Sequence, residues 1–212
     1  MARHKQHEKQ LREQITQYAA RVMNESGIRD FQMAKQKAAA ALGVAAGKHM
    51  PTNSEIEKAI IDYQRLFEAD EFPRRLSKLR RIACEAMKFL AQFNPRLTGS
   101  VLAGTATRHA PIELHLFCDY PEQVNILLME SRIPVEEKSK RIHLRSDVYA
   151  DYPLLVFLVD GIKVELVLFS QHELRQAPLS PVDGKPIARA SLSNLELLID
   201  ENNADGNVTS GF

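Results

Sequence analysis

The chain has no tryptophan, only two cysteines, a formal net charge of +1 and no long apolar run. Each shortage excludes something. The apolar runs stop far short of the ~18–20 residues that cross a bilayer, so no membrane span is expected. Cys84 and Cys118 are too few and too far apart for a metal cluster or a disulfide framework. They read as small core residues of a protein kept in the reducing cytoplasm. A near-zero net charge gives no general case for nucleic acid as a partner. The opening stretch, MARHKQHEKQLREQ, is polar throughout and does not read as a secretory signal. With 212 residues, of which 26% are charged, the chain has room for one or two globular domains.

What is present begins with helical periodicity. Leu11, Ile15, Tyr18, Val22 and Met23 fall on one stripe that ends near Gly27. Asp30 can cap a short alanine-rich helix over 31–42 that stops at Gly43. Thr52 and Glu55 have capping-box spacing ahead of a third helix with Ile56, Ile60, Tyr63 and Phe67 inward. A fourth starts at Pro73 and carries Leu76, Leu79, Ala83, Met87 and Leu90. The basic residues Arg74, Arg75, Lys78, Arg80 and Arg81 are expected along its exposed face.

After Asn94-Pro95 the period shifts from about 3.6 to 2. Strands are expected over 96–101, 112–118, 154–160 and 162–169, with a helix over 120–132 and a last one from Ser193 to Ile199. Asp160-Gly161 between two of the strands is a hairpin signal, since a type I′ turn needs positive φ at both positions. The expected class is α+β, organised as a helical region over 1–93, a mixed-sheet domain over 94–201 and a disordered tail over 202–212.

The chemistry-bearing candidates lie in the second region. A strand leading into Gly99-Ser100 would present backbone N–H groups and a hydroxyl at a helix start, an arrangement suited to phosphate oxygens. A Cβ at the glycine would hold the phosphate away from the backbone. Farther on, Ile112-Glu113-Leu114-His115-Leu116 alternates, which places Glu113 and His115 on one strand face. Glu165 sits on the polar side of a later strand, near Lys163. Arg108 and His109 stand on the loop between these motifs.

This order of a Gly-Ser turn, an acidic strand and a second acidic strand resembles the nucleotidyltransferase superfamily of DNA polymerase β-like proteins, in its minimal form. There the pattern is Gly-Ser, a second small residue four positions on, Ser-Asp-Ile-Asp-Leu, and a later strand carboxylate. Gly99-Ser100, Gly104 and Ala110-Pro111-Ile112-Glu113-Leu114 keep that spacing. The resemblance covers about 75 residues and says little about the helical part. It implies transfer of a nucleoside monophosphate from an NTP to a protein or small acceptor, aided by Mg²⁺ or Mn²⁺. It would make Glu113 and Glu165 catalytic, Glu113, His115 and Glu165 the metal ligands, and Gly99, Ser100, Gly104 and Lys163 the phosphate-binding set.

One departure weighs against catalysis. The first metal carboxylate of the pattern falls on Pro111, which has no ligand atom. Three readings therefore stand: a nucleotidyltransferase; a pseudoenzyme that keeps the fold and binds a nucleotide or a protein partner; and a helical interaction protein with the α/β part as scaffold. Function resides in the site and not in the fold, so the arrangement of these side chains decides among them.

Overall fold

The computed structural model describes residues 2–45, 47, 49–145 and 147–208, with side-chain surroundings for those between 6 and 201. The chain is α+β: seven helices and one five-stranded mixed sheet among the described residues. It divides into two compact units.

The first unit comprises Met1–Pro73, Thr105–Ala110 and Pro181–Asp183. Helices α1 (Ala2–Ser26), α2 (Phe31–Ala41) and α3 (Asn53–Phe67) bury Ile15, Ala19, Met23, Ala34, Ala38, Ile56 and Ile60 in one core. The alanines let the helix backbones approach closely. Local signals fix the ends: Asp30 accepts from the Met33 N–H at 2.6 Å, and Thr52 with Glu55 completes a reciprocal capping box. Arg12 grips Glu55 through two bonds of 3.1 and 2.6 Å. This pairing, the largest influence on the Glu55 carboxyl, holds it down to about 2. Phe67 departs from expectation: it is 70% exposed, at the last position of α3, where the helix runs out before the stripe returns inward.

The second unit holds the sheet and comprises Arg74–Gly104, Pro111–Ser180 and Gly184–Phe212. The helix α4 (Glu71–Phe89) belongs to it from Arg74 on, twenty residues earlier than the boundary expected after residue 93. The reason lies in its stripe, since Leu79, Ala83 and Met87 are buried. Arg80, expected on the exposed face, is also buried; it donates to the carbonyls of Val101 and Leu102 at 3.3 and 3.4 Å. A guanidinium suits the negative end of a helix, so burial is compensated.

The strands are β1 (Arg96–Thr98), β2 (Ile112–Phe117), β3 (Glu136–Arg145), β4 (Val148–Val159) and β5 (Ile162–Phe169), in the order β1-β2-β5-β4-β3. Only β2 and β5 run parallel; the other neighbours are antiparallel. The parallel pair is largely buried on both faces, as its near-continuous apolar sequence requires. The Asp160-Gly161 turn joins β4 to β5 with φ of +51° and +77°, as a type I′ geometry demands. The expected first strand ends early. At Gly99 the chain turns into α5 (Gly99–Ala103), a single short helix closed by Gly104.

Strand β3 was not expected, and β4 begins six residues before the expected start. Both follow from a long hairpin in which Ile142 and Leu154 share an apolar cluster with Phe117, Val156, Val167 and Phe169. The outer edge of β1 is bonded to Ala190 in both directions at 2.9 Å, and the His143 carbonyl of β3 accepts from the Leu179 N–H at 2.7 Å. The remaining helices are α6 (Glu122–Glu130) and α7 (Leu192–Val208). The backbone of α7 extends past the expected end at Ile199, and residues 209–212 of the expected tail lie outside the described residues.

Candidate functional site

Glu113 and Glu165 face each other across the parallel pair β2–β5, in register. Residues in register on neighbouring strands project from the same face of a sheet, so the ladder sets side by side two carboxylates that are 52 positions apart in the sequence. Both are sheltered, with 19% and 8% of their side chains exposed.

The third member of the group is Lys140 of β3. Its ammonium donates to Oε2 of Glu113 at 2.8 Å and lies 3.9 Å from Oε2 of Glu165. Two unit charges 4 Å apart interact by ~4 kcal/mol at an effective dielectric constant of about 20. Adjacent carboxylates in a half-buried setting repel on that scale, and one ammonium facing both offsets the repulsion. Lys140 carries no motif spacing of its own. Its strand is rich in charge, and 27 residues separate it from Glu113, so nothing local announces the contact.

Gly99 closes the other side of Glu113. It stands at φ +72°, and a Cβ there would lie 2.7 Å from Oε1 of Glu113. The glutamate is therefore held between a glycine backbone at one oxygen and an ammonium at the other. Ser100, half-buried, follows in the first turn of α5. Gly104 is at the opposite end of that helix, at φ +74°, where its N–H returns to the Ser100 carbonyl. It serves as the helix stop, at the end of α5 away from Gly99 and Ser100. Lys163 is exposed and shares the strand face of Glu165 two residues away.

His115 has a different setting. It is 3% exposed, its Nδ1 accepts from Arg189 Nε at 3.0 Å, and its ring lies 4.7 Å from that of Phe169. Burial first, and then the charges of Arg189 and Lys140, hold its pKa well below the ordinary imidazole value. The neutral ring thus carries its proton on Nε2. Arg189 rests over the rings of Phe117 and Phe169 at 4.9 and 5.1 Å and donates to the carbonyls of Glu173 and Gln176. Burial pushes it down to about 10, still cationic at neutral pH. Tyr152 donates to Glu173 beside this cluster, and burial above all pushes its hydroxyl up to about 12.

The remaining candidates have structural partners. Arg108 pairs with Glu68 at 2.7 Å, and His109 reaches the Glu25 carbonyl at 3.2 Å. Both thiols are buried, and burial raises both, which makes them poor nucleophiles.

A divalent ion shared by Glu113 and Glu165 would need oxygens of both at ~2.1 Å. The Lys140 ammonium occupies the approach to the Oε2 atoms, Pro111 supplies no oxygen ligand from its side chain, and the Nδ1 of His115 is engaged by Arg189. Among the described residues no group of three or more His, Cys, Asp or Glu side chains is placed to hold a metal. The donor set present does not fit a metal pair.

No protein-family model matches the chain, and no curated protein does. Among solved structures, a chain described as "structure of GLD-2/RNP-8 complex" matches at 19% identity and a TM-score of 0.30. The match covers 56% of this chain and 48% of that one, so it spans about half the length of the solved chain. At that TM-score the likeness carries no argument. No helix among the described residues is long and apolar enough to cross a membrane.

Proposed function

We propose that this protein is a catalytically degenerate nucleotidyltransferase-like module that binds the phosphates of a nucleoside triphosphate without a divalent ion. The observation that carries this reading is the Lys140 ammonium set against Glu113 and Glu165. In a two-metal transfer, carboxylates recruit the cations that offset charge on the α-phosphate. Here the chain supplies a cation of its own, and the position of the first carboxylate holds Pro111. What remains suited to a polyphosphate is the Gly99-Ser100 turn, with Lys163 on the same strand face as the acids.

The test is thermal unfolding of the full chain with ATP or GTP, in EDTA and again in Mg²⁺. A rise in melting temperature that persists in EDTA, and that shrinks for Lys163→Ala, supports the reading. No shift with any nucleotide removes the ligand role.

A second reading, transfer to an acceptor, draws on the in-register pairing of Glu113 with Glu165. In that reaction the acceptor oxygen bonds the α-phosphorus while the bond to the pyrophosphate leaving group breaks. Incubation with α-labelled NTPs and Mg²⁺ or Mn²⁺ separates the two. Transfer of label, or pyrophosphate release that Glu165→Gln abolishes, overturns the binding-module reading.

A further inference from the structure

We infer that Lys140 is a resident counter-cation, standing where a divalent ion would bridge the paired carboxylates, so that the wild-type chain excludes such an ion from this site. The inference rests on the same Lys140 geometry as the nucleotide reading but concerns a different ligand, so its failure is read from Mn²⁺ binding and that of the nucleotide reading from the nucleotide-dependent thermal shift.

Three features carry it. The first is the orientation of Glu113. Its Oε1 faces Gly99 so closely that a Cβ there would be 2.7 Å away, while its Oε2 accepts from Lys140 at 2.8 Å. An ion bridging to Glu165 would need the Oε2 side, which is the side the ammonium holds. The second feature is shelter. Lys140 is itself only 33% exposed, and Glu165 only 8%, so adding a dication beside the ammonium would crowd three positive charges into a partly desolvated space. The third is attachment. Lys140 belongs to a strand paired with β4 through nine registered positions, opposite Tyr152. A cation tethered in this way competes at a fixed, high effective concentration that no chelator lowers.

The experiment is a Mn²⁺ titration of the nucleotide-free full chain, read by the electron paramagnetic resonance signal of free Mn²⁺. Wild type, Lys140→Met, Lys140→Arg and the double variant Lys140→Met with Glu113→Gln are compared. Neutralising the lysine is expected to tighten Mn²⁺ binding by roughly tenfold or more. The arginine variant is expected to behave as wild type, and Glu113→Gln is expected to cancel the gain. Equal Mn²⁺ affinity in wild type and Lys140→Met, with both cooperatively folded, overturns the inference. If Lys140→Met does not fold, Lys140→Gln takes its place. A measurement on the unaltered protein stands beside the variants: Mn²⁺ should leave the Gly99 amide resonance unbroadened, and selective broadening there sinks the idea.

Discussion

An alanine at position 99 would meet two penalties at once. Its backbone would have to hold φ +72°, a region where side chains carrying a Cβ are strained, and that Cβ would press on Oε1 of Glu113. The glutamate end could swing aside in an open site, but here its other oxygen is bonded to Lys140. Gly99→Ala is therefore expected to lower stability by about 1–3 kcal/mol in urea unfolding. A loss below a few tenths would mean that the turn relaxes freely. His115 yields a prediction of another kind. Its pKa is depressed in the folded state, so as pH falls through the ordinary value of 6.5 the unfolded chain takes up a proton that the folded chain refuses. The associated stability is fully present above that value and declines as pH falls toward the folded pKa. Between about pH 8 and about pH 5.5 the wild type should lose more stability than His115→Phe, which removes the titrating ring. Arg189 and Lys140 are the charges that face it.

At the scale of elements, the N-terminus of α3 offers a clean measurement. Thr52 accepts from the Glu55 N–H at 3.2 Å while Glu55 returns to the Thr52 N–H at 2.6 Å. Thr52→Ala should cost about 1 kcal/mol, since one capping interaction goes and the helix start loses its oxygen. The same exchange was legible in the sequence, because both partners sit within four residues and the chemistry is local. The Asp160-Gly161 hairpin was legible for the same reason. Strand β3 was not: its alternation is charged over Glu136–Lys140 and apolar only at Ile142 and Leu144, so the period-2 signal is short. Its burial comes from β4, a long-range pairing that the segment itself does not encode. The site divides along the same line. Gly99, Glu113 and Glu165 carry motif spacing, and the structure brings them together. Lys140 carries none, and it is the residue that changes the chemistry. Arg189, the partner that takes Nδ1 of His115, lies 74 residues away and was equally invisible.

For the whole molecule, the charge arrangement makes a prediction about metals that needs no substitution. With an ammonium inside the acidic pair, EDTA should leave the melting temperature of the wild type unchanged within error, and added Mg²⁺ should not raise it. A fall on chelation would show that a bound cation contributes to folding after all. The two flanks of the sheet bear on a separate property. On one side, both polar groups of Leu97 are taken by Ala190; on the other, the Leu179 amide occupies the His143 carbonyl beside a row of lysines and glutamates. A foreign extended peptide seeking to enlarge the sheet would find the middle of β1 already paired, and at β3 it would meet a row of charged side chains. The fold thus carries its own guard against runaway strand addition, the route by which exposed β-edges seed fibrils.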